Sequence, residues 1–160
     1  MASIETGATA PTGPVLFAYD GSELATLAIE QAGKQLATGR DALVLCVWQP
    51  ADVGFVPTNK RRFDTNQASE VKRAAEEIAA RGASLAEKAG FRSQSMAVKA
   101  APTWKGIVET AEEHQASLIV LGSHRRSGLV GHVLGSVAAA VVTHSASSVL
   151  VVHQLSRGGV

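Results

Sequence analysis

Five short apolar runs alternate with stretches of helical period, and this alternation leaves the chain few ways to fold. The runs are Val15 to Tyr19, Ala42 to Trp48, Ser117 to Leu121 and Ser148 to His153, with a weaker one over Ser93 to Val98, where polar and apolar residues alternate as in a less completely buried strand. Ala42 to Trp48 shows no alternation of polar and apolar residues, as expected of a strand covered on both faces. Between the runs, Leu24, Leu27, Ala28, Ala32 and Leu36 recur at the spacing of one helix face, with Gly39 as the expected stop. Val71, Ala75, Ile78, Gly82, Leu85 and Ala89 do the same in a helix expected over 68–89, ended by Gly90. Gly82 costs about 1 kcal/mol against alanine in an exposed helix, but on the inner stripe it permits close packing on a sheet. Two more helices are expected, one from Pro102-Thr103 to His114 and one from Ser136 to His144.

Strands that alternate with helices require parallel pairing and right-handed crossovers. The expected fold class is therefore α/β: a doubly wound, Rossmann-like five-stranded parallel sheet with helices on both faces. Residues 14–154 are expected to form one domain between an N-terminal tail, 1–13, and a C-terminal tail, 155–160. The 160 residues suffice for a sizeable core. With only 4% aromatic residues, that core must be built from Ala, Val, Leu and Ile. A net charge of +1 gives no reason to expect nucleic acid or a membrane as partner. No apolar run is long enough to span a bilayer, and the cytoplasm is the expected compartment. The lone Cys46 lies mid-strand and reads as a buried thiol rather than a nucleophile.

In doubly wound sheets, ligands bind beyond the carboxyl ends of the strands, where the strand order reverses. Asp20 at the end of the first run, Val47 near the end of the second and Gly122 at the end of the fourth are expected to meet there. After Leu121 the sequence turns into a Gly-, Ser- and Arg-rich loop that ends at Gly135-Ser136, where a helix begins. A strand, a glycine-containing loop and a helix start are a physical recipe for holding phosphate. Backbone N–H groups approach the anion, and the helix start adds unpaired donors and partial positive charge. Arg125 and Arg126 would add full charges.

These residues resemble the universal stress protein family. Val15-Leu16-Phe17-Ala18-Tyr19-Asp20-Gly21-Ser22 is similar to its first strand and turn, and Leu45-Cys46-Val47 to its second strand. Leu118-Ile119-Val120-Leu121-Gly122-Ser123-His124 and Val149-Leu150-Val151-Val152 are similar to its C-terminal half. The resemblance runs from about Pro14 to His153. It implies a stress-response regulator or sensor, not an enzyme, that binds an adenine nucleotide, with ATP first and Mg2+ accompanying it. It also implies a homodimer through Ser148 to His153. By the same resemblance, Ala18, Tyr19 and Asp20 flank the adenosine, with Asp20 towards the ribose and the Val47 backbone towards the base. Leu121, Gly122, Ser123, His124, Arg125, Arg126 and Ser127 wrap the phosphates, and Gly135, Ser136 and Val137 offer helix-terminal donors.

The nucleotide-binding branch of the family carries Gly, two residues, Gly, nine residues, then Gly with Ser or Thr. Here the pattern is Gly122, two residues, Arg125, nine residues, then Gly135-Ser136, so an arginine replaces the second glycine. If that position needs φ > 0, arginine is strained there. If it has ordinary φ, the guanidinium can lie against the phosphates. The arginine motivates one alternative, a dimeric interaction module of the same fold that holds no nucleotide; a binder of AMP or cyclic AMP is another.

Plainer readings exist for each residue. Asp20 before Gly-Ser is also an ordinary turn residue, and Gly135-Ser136 an ordinary helix start. The five histidines show no metal-ligand spacing, and His144 on the apolar stripe reads as a packed core or interface residue. Lys60-Arg61-Arg62 reads as part of a solvated loop, 49–66, long enough to be functional or mobile. The chain lacks Gly-x-Ser-x-Gly, Cys-x-x-Cys, a P-loop and Gly-x-Gly-x-x-Gly, which argues against the corresponding enzymes.

Overall fold

The computed structural model describes residues 12–49, 65–123, 126–127 and 132–153. In chain order the elements are β1 (Val15–Ala18), α1 (Glu23–Gln35), β2 (Asp41–Trp48), α2 (Thr65–Lys88), β3 (Arg92–Lys99), α3 (Thr103–Glu113) and β4 (Leu118–Ser123). They continue with β5 (Arg126–Ser127), β6 (His132–Val133), α4 (Ser136–His144) and β7 (Ser148–His153). Five strands form one sheet in the order β3-β2-β1-β4-β7, and every pairing in it is parallel. The chain winds from β1 outwards to β3, then crosses to the other side of β1 to add β4 and β7. The order therefore reverses between β1 and β4. This is the α/β architecture expected from the alternation of runs.

The two faces of the sheet read directly from residue parity. Val15, Phe17, Tyr19, Val44 and Val120 pack against Ala25, Ala28, Ile29 and Ala32 of α1 and Ala86 of α2. Leu16, Leu43, Leu45, Ile119 and Leu121 pack against Ile107, Val108 and Ala111 of α3 and Ala138 and Val141 of α4. Small alanines on the helices let them lie close to a sheet of branched aliphatic side chains. Within the first layer, Phe17 and Phe91 meet edge to face at 5.2 Å.

Local chemistry sets the boundaries. Ser22 caps α1 by accepting the Ala25 N–H at 3.1 Å, a contact that contributes about 1 kcal/mol. Helix α1 ends at Gln35, before the expected stop, because Leu36 is already extended. Gly39 instead occupies the following turn at φ +79. Helix α2 ends as expected at Gly90, with φ +101. The Gly90 N–H donates to the Glu87 carbonyl and the Phe91 N–H to the Ala86 carbonyl, each at 3.0 Å, which is the Schellman arrangement. Gly82 does permit the close packing expected of it: a Cβ there would lie 2.7 Å from both the Tyr19 ring and the Val44 side chain.

Two expectations need correction. Strand β1 stops at Ala18, one residue early, and β4 does not break at Gly122. Gly122 and Ser123 remain in register with Val152 and His153 of β7, so the strand carries on through the glycine. Most of the N-terminal tail, residues 50–64 with the basic cluster and the C-terminal tail lie outside the described residues, and α2 already covers Thr65 and Asn66, which were expected in the loop. Gly13, at the end of that tail, has its carbonyl bonded by the Ser117 hydroxyl at 2.8 Å.

Candidate functional site

A crevice of about 300 Å³ opens where β1 and β4 part, at their carboxyl ends. That volume lies at the lower end of small-molecule sites, which span roughly 300–1,000 Å³. Its floor is apolar, built from Leu45, Val47, Ile107 and Leu121. Ala18, Tyr19, Asp20, Val47, Leu121, Gly122, Ser123, Gly135, Ser136 and Val137 all line it, so the fold brings together ten of the residues picked out by sequence.

One wall is left open by unequal strand lengths. β1 ends opposite Leu45, whereas β2 continues to Trp48. The Tyr19 N–H donates to the Leu45 carbonyl at 2.8 Å, and the Trp48 carbonyl accepts from Ala100 on the β3 side at 3.1 Å. Successive residues of a parallel strand turn their N–H and C=O to opposite neighbours. Val47 therefore presents both groups towards a strand that has already ended. A free donor and acceptor pair above an apolar floor is suited to the edge of a flat heterocycle.

The β1 turn has a structural role as well. Asp20 is exposed, and its Oδ1 accepts the Ser22 N–H at 2.9 Å, an Asx turn that leads into α1. The carboxylate still borders the crevice. Tyr19 contributes backbone only: its ring is buried under α1 and α2, and its hydroxyl pairs with Thr26 Oγ1 at 3.3 Å.

Gly122 is required for packing. A Cβ there would lie 2.6 Å from Leu24 Cγ and 3.0 Å from the Leu24 carbonyl oxygen, so the first turn of α1 rests on this bare backbone. Ser123 is buried, and its Oγ accepts the Gly135 N–H at 2.9 Å. This corrects the expectation that Gly135 offers its N–H to a ligand; that donor already closes the loop at its base. The segment between is further drawn together by antiparallel β5 and β6, with Arg126 opposite Val133 and Ser127 opposite His132.

Helix α4 starts at Ser136 with Gly135 as N-cap and no side-chain cap. Its first turn faces the crevice through Ser136, Val137 and Ala138. Uncapped N–H groups and the helix dipole make this the anion-favouring end. His124 and Arg125 lie outside the described residues, as do the side chains of Arg126 and Ser127.

The sequence reading missed seven lining residues: Ser22, Leu24, Ala25, Leu45, Thr103, Ile107 and Ala138. Most are helix or strand residues whose core-facing period conceals a second exposure at the sheet's edge. Thr103 had a usable sign, since it directly follows Pro102 at a helix start. His144 is exposed rather than core, and stacks on Trp104 at 4.2 Å. Cys46 is buried. Among the described residues, no group of three or more His, Cys, Asp or Glu comes together to hold a metal ion. No helix among them is long and apolar enough to cross a membrane.

Comparison with known proteins agrees with this fold. The sequence model of the universal stress protein family matches residues 12–153. A universal stress protein of Mycolicibacterium smegmatis is 33% identical over 140 residues, covering 87% of this chain. The chain spans 45% of the length of that relative. Among solved structures, a hypothetical protein whose biochemical function was assigned from its structure superposes with a TM-score of 0.70 at 23% identity, covering 91% of this chain and 98% of its own. A universal stress protein in complex with cAMP has a TM-score of 0.63 at 26% identity, covering 90% and 99%. One from Archaeoglobus fulgidus in complex with dAMP has a TM-score of 0.55 at 21% identity, covering 89% and 98%.

Proposed function

Since the chain belongs to the universal stress protein family, we propose that it holds an adenine nucleotide in the β1–β4 crevice and acts as a stress-response sensor or regulator rather than an enzyme. ATP is the first candidate, with Mg2+ carried on its phosphates. The observation that carries this reading is the pairing of two ends in one crevice. The free Val47 edge matches the amino group and ring nitrogen of adenine, and the uncapped start of α4 matches phosphate. Asp20 lines the same crevice and is the candidate partner of the ribose. Complexes of relatives with cAMP and dAMP support the same ligand class.

Calorimetry with ATP, ADP, AMP and cyclic AMP tests the proposal. Binding of at least one is expected, and no heat from any of them with folded protein would reject it. Gly135→Arg should abolish binding, because the new side chain projects into the space where phosphate would lie. Unchanged affinity would place the ligand elsewhere.

The second reading is a dimeric interaction module. Arg125 in place of the motif glycine favours it, and so does the β7 edge. Among the described residues β7 pairs only with β4, and Val149, Leu150 and Val151 are half-buried with no charge among them. The opposite edge, β3, begins and ends on Arg92 and Lys99, which discourage edge pairing. A homodimer through β7 is compatible with either reading.

A further inference from the structure

Thr103 stands at the start of α3, on the side of the crevice where Val47 is open. Pro102 precedes it as N-cap, and no side chain caps the helix. The Thr103 hydroxyl oxygen accepts a hydrogen bond from Gln49 Nε2 at 3.2 Å. An amide nitrogen can only donate, so the bond fixes which role the hydroxyl plays. With its oxygen receiving from Gln49, the hydroxyl keeps its own proton to give. Among the described residues nothing accepts that proton, and Thr103 lines the crevice.

We infer that Thr103 is a specificity-determining residue, held by Gln49 as a hydrogen-bond donor to the base of the bound nucleotide. The base end of the site then presents an acceptor, the Val47 carbonyl, and two donors, the Val47 N–H and the Thr103 hydroxyl. This order selects a purine with an exocyclic amino group flanked by ring nitrogens. A 6-oxo purine would set its carbonyl against the Val47 carbonyl, and burying two facing acceptors is unfavourable. The assignment rests on the adenine-nucleotide reading and adds to it a residue from a helix that carries none of the sites picked out by sequence.

The test compares wild type, Thr103→Val, Thr103→Ser and Gln49→Glu by calorimetry with ATP, adenosine and tripolyphosphate. Thr103→Val should weaken ATP and adenosine alike by about fivefold, the factor of one hydrogen bond, and leave tripolyphosphate unchanged. Thr103→Ser should stay within about twofold of wild type, because the donor remains. Gln49→Glu should match Thr103→Val, because a carboxylate would take the hydroxyl's proton and turn it from the base. If wild type gives no heat with adenosine or with any of ATP, ADP, AMP and cyclic AMP, the nucleotide reading fails, and this assignment with it. If wild type binds and both Thr103→Val and Gln49→Glu bind equally well, the assignment alone fails.

Discussion

Gly122→Ala tests whether this glycine serves the sheet or the phosphate loop. An added methyl carbon would lie 2.6 Å from Leu24 Cγ, 3.0 Å from the Leu24 carbonyl oxygen and 3.1 Å from its carbonyl carbon. The Leu24 side chain can rotate away, but the backbone atoms cannot. Ordinary contact needs about 3.4 Å or more, so the first turn of α1 must lift off β4 by several tenths of an ångström. Overpacking of this kind costs about 1–3 kcal/mol. For a chain of this size, 1 kcal/mol moves Tm by roughly 2–4 °C, so a fall of about 2–12 °C is expected. Thermal and urea unfolding measure it. Leu24→Ala combined with Gly122→Ala should cost less than the sum of the two single changes, since the truncation removes the Cγ contact and leaves the carbonyl contact. A Gly122→Ala protein within about 0.5 kcal/mol of wild type would refute the packing argument. Its binding could then still fall, and the glycine would belong to the ligand.

Ser123→Ala removes the acceptor of the Gly135 N–H, and an orphaned amide of this kind costs about 1–3 kcal/mol; urea unfolding should show the loss, and calorimetry a weaker nucleotide affinity. Val151→Lys places a charge in the uncharged β7 edge, and sedimentation should report a monomer where wild type is a dimer, with the helical circular dichroism retained. A monomeric wild type would remove the edge-pairing proposal.

The architecture was legible because the runs and helical stripes repeat without ambiguity. Ala42 to Trp48 announced a doubly covered strand, and Gly90 a helix end, since each depends on local chemistry alone. Gly39 misled because a glycine after a helix marks a turn without saying how soon the helix stops. Gly122 misled in another way. Its need for a missing Cβ comes from Leu24, 98 positions earlier in the chain, and no local pattern reports such contact. Gly135 looked like a donor to a ligand until Ser123, across the loop, was seen to occupy its N–H. Thr103 and Gln49 are 54 positions apart, and only the sheet brings them side by side.

The early ending of β1 has an evolutionary consequence. Val47 offers its amide and carbonyl whatever side chain it carries, so a drift to isoleucine, threonine or alanine would leave these groups in place. Proline alone strips away the donor. An open edge written into chain length in this way is hidden from residue-by-residue comparison, and it can be erased by an insertion that extends the first strand by a single rung.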